Sequence, residues 1–375
     1  MKKTKQARDF YEQLMNASKR YTKQNTIFFN TYSKRTDLKT IRIADGIIKI
    51  ESFAFNGCTS LESVVFPNSV QDIGHCVFEG CTNLKSVVLP HGIKEIGPWM
   101  FNCCENLRSI VIPESVRAIR ECAFKDAGLV SILIPDGVET IDSHAFVGST
   151  LTSVVIPGTV KAIGKSAFST CAGLTSVVIS DGVKEIGNNA FSYCLSLSSI
   201  TIPDSVKTIG NSAFSGCYGL ISAIIPNGVK KIGANAFDGC SSLASVVIPE
   251  SVKRIRKRTF SNCKGLTSVI IPEGVETIER SAFEGCSGLT SIVIPKSVKT
   301  IDAKAFWGCT ALSSVVIPEG VEKIKGNAFE NCNLSVKMNP ATKQRGYITK
   351  TKKTKKTKKT SDEDQKLPGF PELDS

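Results

Sequence analysis

The chain has 375 residues, a net charge of +13 and a mean hydropathy near zero. Its longest apolar runs are only a few residues, such as Ala223-Ile224-Ile225, far short of the roughly 20 that a membrane-spanning helix needs. The charge sits at the ends: residues 1–40 carry +7, residues 342–360 carry +9 and residues 361–375 carry −4, which leaves the long central stretch close to neutral.

Met1-Lys2-Lys3-Thr4-Lys5-Gln6 is basic, but the residues after it are polar and make no signal-peptide core. The expected location is therefore the cytoplasm, with the nucleus as the alternative that the Lys-rich tract suggests. Within residues 5–23, Phe10, Tyr11, Leu14 and Met15 fall on one helical face. The stretch 1–37 is read as a helical cap over the first repeat, which solenoids need for solubility. A membrane-lying or partner-binding amphipathic helix is the alternative.

A repeat then takes over. Phenylalanine returns at positions 55, 78, 101, 124, 146, 168, 191, 214, 237, 260, 283, 306 and 329, in steps of 23 residues except for two of 22. An isoleucine stands five residues before each, from Ile50 to Ile324. A fixed period of this length marks a solenoid, so length sets the extent of a stacked array and not a number of globular domains.

From a partial unit at Leu38, Ile41 and Ile43, each coil reads Cys-x-x-Leu-x-Ser-Val-x-Ile-Pro-x-(Ser or Gly)-Val-x-x-Ile-Gly-x-x-Ala-Phe. The β-branched piece Leu243 to Ile248 predicts a short strand, ended by Pro249, which has no N–H for the ladder. The residues after the proline fit a type I turn, and Val252 to Ile255 predicts a second extended piece. Two residues after the proline position, hydroxyl and glycine alternate strictly from Ser69, Gly92 and Ser115 to Ser297 and Gly320. That superperiod suggests expansion by copying pairs of coils. The array spans 38–340, about thirteen repeats. Residues 341–375, Lys/Thr-rich and then acidic, are predicted to be disordered.

The unit resembles the BspA-like subfamily of leucine-rich repeats. The resemblance is carried by Cys240 and Leu243, by Val246-Val247-Ile248-Pro249, and by Ile232, Gly233, Ala236 and Phe237. It implies a right-handed, β-rich repeat solenoid with a parallel sheet on the concave face, serving as a protein-binding surface. Many such proteins are cell-surface adhesins, which makes adhesion a third functional class.

Fourteen cysteines invite a disulfide or metal reading. Eleven of them (Cys58, Cys81, Cys104, Cys171, Cys194, Cys217, Cys240, Cys263, Cys286, Cys309 and Cys332) share one repeat position. Side chains stacked in parallel are poorly aimed for disulfides, so a buried apolar role in a reducing compartment is expected. Cys76, Cys103 and Cys122 fall off the column and are the candidates for exposed thiols. His75, His91 and His144 occupy three different repeat positions. No catalytic arrangement, metal site, cofactor motif or small-molecule substrate is expected.

Two further columns carry the functional expectation. Four residues after each strand leucine come Val65, Val88, Val111, Leu133, Val155, Val178, Thr201, Ile224, Val247, Ile270, Val293 and Val316, beside a serine column from Ser63 to Ser314. Strand alternation turns this column outward. β-Branched residues favour strands anyway, but an exposed apolar stripe in register across twelve coils marks a protein or peptide site. The second column is basic: Lys161, Lys184, Lys207, Lys230 and Lys253, thickened by Lys231, Arg254, Arg256, Lys257 and Arg258. Stacked at strand spacing the lysines repel one another, which an acidic partner such as nucleic acid or an anionic membrane would relieve. The plainer alternative is a solvated face partly neutralised by Glu185, Glu276 and Glu279.

Overall fold

The computed structural model describes residues 25–334. The helix expected over 5–23, the array end at Pro340 and the tail 341–375 lie outside them. Within the described residues there are short strands and turns and no helix. Every strand pairing is parallel and joins residues one repeat apart, for example Ser176↔Ser199 and Ile186↔Ile209. The architecture is the expected β-solenoid.

Each coil contributes two strand positions, as Ser176–Ile179 and Glu185–Ile186 show. The first strand alternates outward and inward, with Ser176 and Val178 exposed and Val177 and Ile179 buried. Inside lie the repeat leucines, valines and isoleucines and a column of phenylalanines, from Phe55 to Phe306 fully buried. Neighbouring rings stack almost parallel, with centroids 4.9 Å apart at Phe146–Phe168 and 5.6 Å at Phe191–Phe214.

The array also reaches further towards the amino terminus than the phenylalanine count implies. Tyr32 stacks on Phe55 at 5.2 Å, and Thr26–Ile27 pairs with Lys49–Ile50. Ile27 therefore stands five residues before Tyr32, as the isoleucines do before the phenylalanines. The described part of the expected cap, 25–37, is thus strand and turn.

The corner around each phenylalanine rests on left-handed backbone. The residue two before the ring has positive φ in every coil from Phe53 to Asn327, and the residue two after it does likewise, glycine or not. Such residues cost about 1 kcal/mol each when they carry a side chain. The geometry aims their amides along the stack: Ser212, Phe214 and Gly216 N–H donate to the carbonyls of Ala234, Ala236 and Asp238, each at 2.8 Å. These bonds offset the cost by satisfying buried backbone donors.

The hydroxyl/glycine alternation is a lock between turns. Ser69 Oγ donates to Ile47 O at 2.8 Å and accepts from Gly46 N–H at 3.2 Å. Ser297 repeats the pair on Val275 O and Gly274 N–H, at 2.8 and 2.9 Å. Ser115, Thr159 and Ser251 reach the carbonyls of Ile93, Val138 and Val229 in the same way. Gly182, with φ of 112°, admits no side chain, because a Cβ there would stand 2.3 Å from Gly158 O. Adjacent coils are thus complementary, which gives the two-coil period a structural cause.

Truncating a mid-column ring should show how much the fold leans on it. Phe168→Ala is expected to cost about 3–5 kcal/mol, read as a lowered urea midpoint by circular dichroism, with Phe168→Leu losing distinctly less.

Candidate functional site

All twelve positions of the apolar stripe are exposed, from 38% at Val65 to 82% at Val111, with Thr201 exposed among them. The backbone brings them together in a file: Val155↔Val178↔Thr201↔Ile224 and Val247↔Ile270 are direct strand partners, as are Val65↔Val88 and Val293↔Val316. Val111 and Leu133 meet through an isolated bridge.

The rows beside the stripe add what the apolar pattern alone does not show. One residue after each strand leucine stand Glu62, Lys85 and Arg108, and then Val130, Thr152, Thr175, Ser198, Ile221, Ala244, Thr267, Thr290 and Ser313. From Val130 onward this row, the serine row and the stripe contain no charged residue. In the row after the leucines, five hydroxyls are already engaged. Thr152, Thr175 and Thr267 Oγ1 donate to the carbonyls of Val130, Thr152 and Ala244 at 2.9–3.2 Å, one coil back. Ser198 and Ser313 do the same to Thr175 O and Thr290 O. A row whose donors are spent on its own backbone is cheap to desolvate, since covering it strands few hydrogen bonds.

The basic residues are exposed too, apart from half-buried Arg256. Lys184, Lys207 and Lys230 N–H each bond the carbonyl of the lysine one coil back, at 2.8–2.9 Å. The second-strand sheet is interrupted between Lys231–Ile232 and Arg254–Ile255, so Lys253 and its basic neighbours begin a separate segment. Among the described residues none of the ten basic positions is in an ion pair. The pairs that do form lie elsewhere, as at Arg120–Glu95 (2.7 Å) and Lys325–Asp302 (2.8 Å).

All fourteen cysteines are free. The eleven column thiols have a role that was not visible in the sequence: each Sγ donates to the carbonyl of a ring residue, Tyr32 for Cys58 and, for the others, ten phenylalanines from Phe55 to Phe306 that leave out Phe101 and Phe124, at 3.0–3.2 Å. The expectation of exposed thiols off the column is corrected. Cys76 and Cys122 are buried and Cys103 is half-buried. Each has positive φ at the tightly wound corner, where residues one coil away cover it. Cys76 stands between Phe53 and Trp99 in the corner register, and Cys122 between Trp99 and His144. Burial raises the Cys122 thiol to about 11, with Glu121 adding to the shift. His144 is held below its ordinary value by burial and by Lys165.

The same corner assembles one group of ligand-bearing side chains among the described residues. The donor atoms of Glu121, Cys122 and His144 lie within 4.8 Å of one another. The histidines' different repeat positions, and the lack of a Cys-x-x-Cys pair or a histidine partner for the cysteines, gave no metal-ligand set in the sequence. His144 shares its repeat position, two before the phenylalanine, with Cys122.

Among known proteins, the family model described as the BspA type leucine rich repeat region matches in six copies, over residues 25–152, 139–257 and 230–344. A leucine-rich repeat protein from Bacteroides ovatus is 28% identical over 82% of this chain and 86% of its own, with a TM-score of 0.64. A leucine rich cell surface protein from Faecalibacterium prausnitzii is 29% identical over 78% and 82%, with a TM-score of 0.49. No curated protein matches the chain.

The buried thiols make stability depend on alkaline pH. Burial lifts Cys171, Cys217 and Cys286 from 9.0 to about 12. A raised folded-state value means that the unfolded chain loses its protons first, so their contribution is complete below pH 9 and falls as pH rises towards 12. The urea midpoint is expected to drop between pH 8 and pH 10, less steeply in Cys217→Ala/Cys286→Ala.

Proposed function

Since the chain belongs to the BspA-type leucine-rich repeat family, whose repeats commonly form surface or interaction modules, we propose that it is a non-enzymatic scaffold that captures a protein or peptide on its strand face. The observation that carries this reading is the uncharged face from Val130 to Val316, with an exposed apolar file at its centre and five hydroxyls of its outer row bonded to the backbone. The centres of protein interfaces are depleted in charge in the same way.

Magnitudes set the kind of partner. Fully burying a valine or isoleucine side chain is worth about 1.5–3 kcal/mol, so covering one that already hides about half of its surface, as most of the exposed stripe residues do, gains about 1 kcal/mol. Association costs about 4–15 kcal/mol in lost freedom and ordering. A contact of two or three coils falls short of that, so the partner must lie along many coils. An extended segment or an elongated domain meets the requirement.

A second reading rests on the unpaired lysines. Lys161, Lys184, Lys207 and Lys230 stand one coil apart on a common backbone ladder, and with the Lys-rich stretch 342–360 they would engage nucleic acid or anionic lipid through phosphates. Such binding weakens steeply with salt, whereas capture on an uncharged face does not.

One experiment separates the two. Proteins retained by the full chain are compared with those retained by Val178→Glu/Val247→Glu, both at low and at high salt. The double variant, folded by circular dichroism, is expected to lose at least about tenfold of the partner retained by the native chain, because each carboxylate would be buried without a counter-charge. Retention should persist at high salt and after deletion of 342–375. Unchanged capture by the double variant, or capture lost on that deletion, overturns the strand-face reading.

A further inference from the structure

Coil-to-coil stacking brings together three residues that the strand-face function does not use. We propose that Glu121, Cys122 and His144 form a binding site for a borderline-soft divalent cation of the zinc class, joining two adjacent coils. The donors are a carboxylate, a sulfur and an imidazole nitrogen, all within 4.8 Å of one another. That set matches Zn²⁺, which takes Cys, His and Asp/Glu ligands in tetrahedral geometry, and it is too soft for Mg²⁺ or Ca²⁺, which select oxygen.

Backbone geometry produces the convergence. Neighbouring residues ordinarily direct their side chains apart, but Cys122 has a φ of 53° and His144 one of 59°. The same left-handed corner occurs in every coil, so the conformation belongs to the fold and the ligand identities belong to this place. The two coils are fixed to each other by Cys122 N–H on Ser143 O at 3.1 Å, and outward by Trp99 N–H on Glu121 O at 2.9 Å and His144 N–H on Lys165 O at 2.8 Å. Ser143 Oγ donates to Glu121 Oε1 at 3.2 Å, the kind of outer-shell hydrogen bond that orients a ligand carboxylate.

Closing onto an ion requires little movement. With bonds of about 2.0–2.3 Å, tetrahedral zinc holds its ligand atoms about 3.5 Å apart, so the group contracts by about 1 Å. Exposed Glu121 and half-buried His144 can supply this by rotation without displacing buried Cys122. The neighbouring cations leave room: Lys125 lies over the Trp99 ring at 5.4 Å, and Lys165 is exposed. As the Cys122 sulfur bonds the metal, its proton passes to solvent. Three protein ligands leave a fourth position for water or an exogenous donor.

The test uses the full chain, reduced and stripped of metal by a chelator, titrated with Co²⁺ and then Zn²⁺. The expected result is one equivalent of Co²⁺ giving a sulfur-to-cobalt charge-transfer band, displaced by Zn²⁺ and absent in Cys122→Ser. His144→Ala and the exposed-site variant Glu121→Gln should each weaken Zn²⁺ binding about tenfold or more. Cys76→Ser, at the same corner position but with the adjacent His75 held 2.8 Å from Ser52 Oγ and outside any such ligand group, should leave the band intact. The absence of a thiolate band in the native chain overturns the proposal. So does Zn²⁺ affinity unchanged in both His144→Ala and Glu121→Gln, or a band that Cys76→Ser removes. Glu121→Gln sits at the surface and keeps the side-chain shape, so its result stands even if Cys122→Ser folds poorly.

Discussion

The continuous element of this fold is the column of stacked aromatic rings, and both faces take their spacing from it. The strand-face sheet breaks between Ser86–Val88 and Ser153–Ile156, where only an isolated bridge remains, and again between Ser268–Ile270 and Ser291–Val293. The second-strand sheet breaks between Asp72–Ile73 and Glu95–Ile96, and between Lys231–Ile232 and Arg254–Ile255. No two breaks coincide, and the ring column runs through all of them from Tyr32 to Phe329. Its 4.9–5.6 Å spacing is close to the separation of paired strands, so stacking rings and pairing strands impose the same rise. Each neighbouring aromatic pair adds about 0.5–1.5 kcal/mol beyond its burial. In an array where each coil touches only its neighbours, such increments accumulate along the axis.

The two 22-residue steps make the dependence visible. From Phe124 to Leu129 and from Phe146 to Leu151 the chain is one residue shorter than in the other coils, and these are the coils in which Ala127 and Ser149 replace the column cysteine. The first strand of the coil after Phe124 shrinks to the bridge at Leu133. The rings nevertheless stay stacked at 5.3 and 4.9 Å, and Cys171 still reaches Phe146 O. The shortening is absorbed in the loop before the leucine, away from the column. Ser149 partly restores the lost contact through Cys171 Sγ at 3.3 Å.

The buried columns were legible in the sequence because burial selects residue type: a ring, an isoleucine or a leucine at fixed spacing admits few substitutes. The outward stripe was legible for the related reason that strand alternation follows from backbone geometry alone. The start of the array was hidden by a single change, Tyr32 in a phenylalanine position. The corner was hidden more thoroughly. Its left-handed residue is Phe53, Cys76, Trp99, Cys122, His144, Ser166 or Arg258 in different coils, because the requirement falls on φ and on the amide direction, and many side chains satisfy it. Without that register, Cys122 looked like an exposed stray and His144 like a lone histidine. The turn alternation was seen as a pattern, but its cause needed the bond from Ser69 to the coil before it. The lack of charge on the strand face gains meaning from the hydroxyls of its outer row that bond the backbone one coil back.

Hydrogen exchange along the native chain tests the primacy of the ring column most directly. The corner amides of Phe124 and Phe146, in the shortened coils, are expected to be protected as strongly as that of Phe214, while the outer segments 107–112 and 130–135 exchange sooner. Protection that follows the strand-face sheet instead, with the corners at Phe124 and Phe146 opening together with those segments, would contradict that primacy.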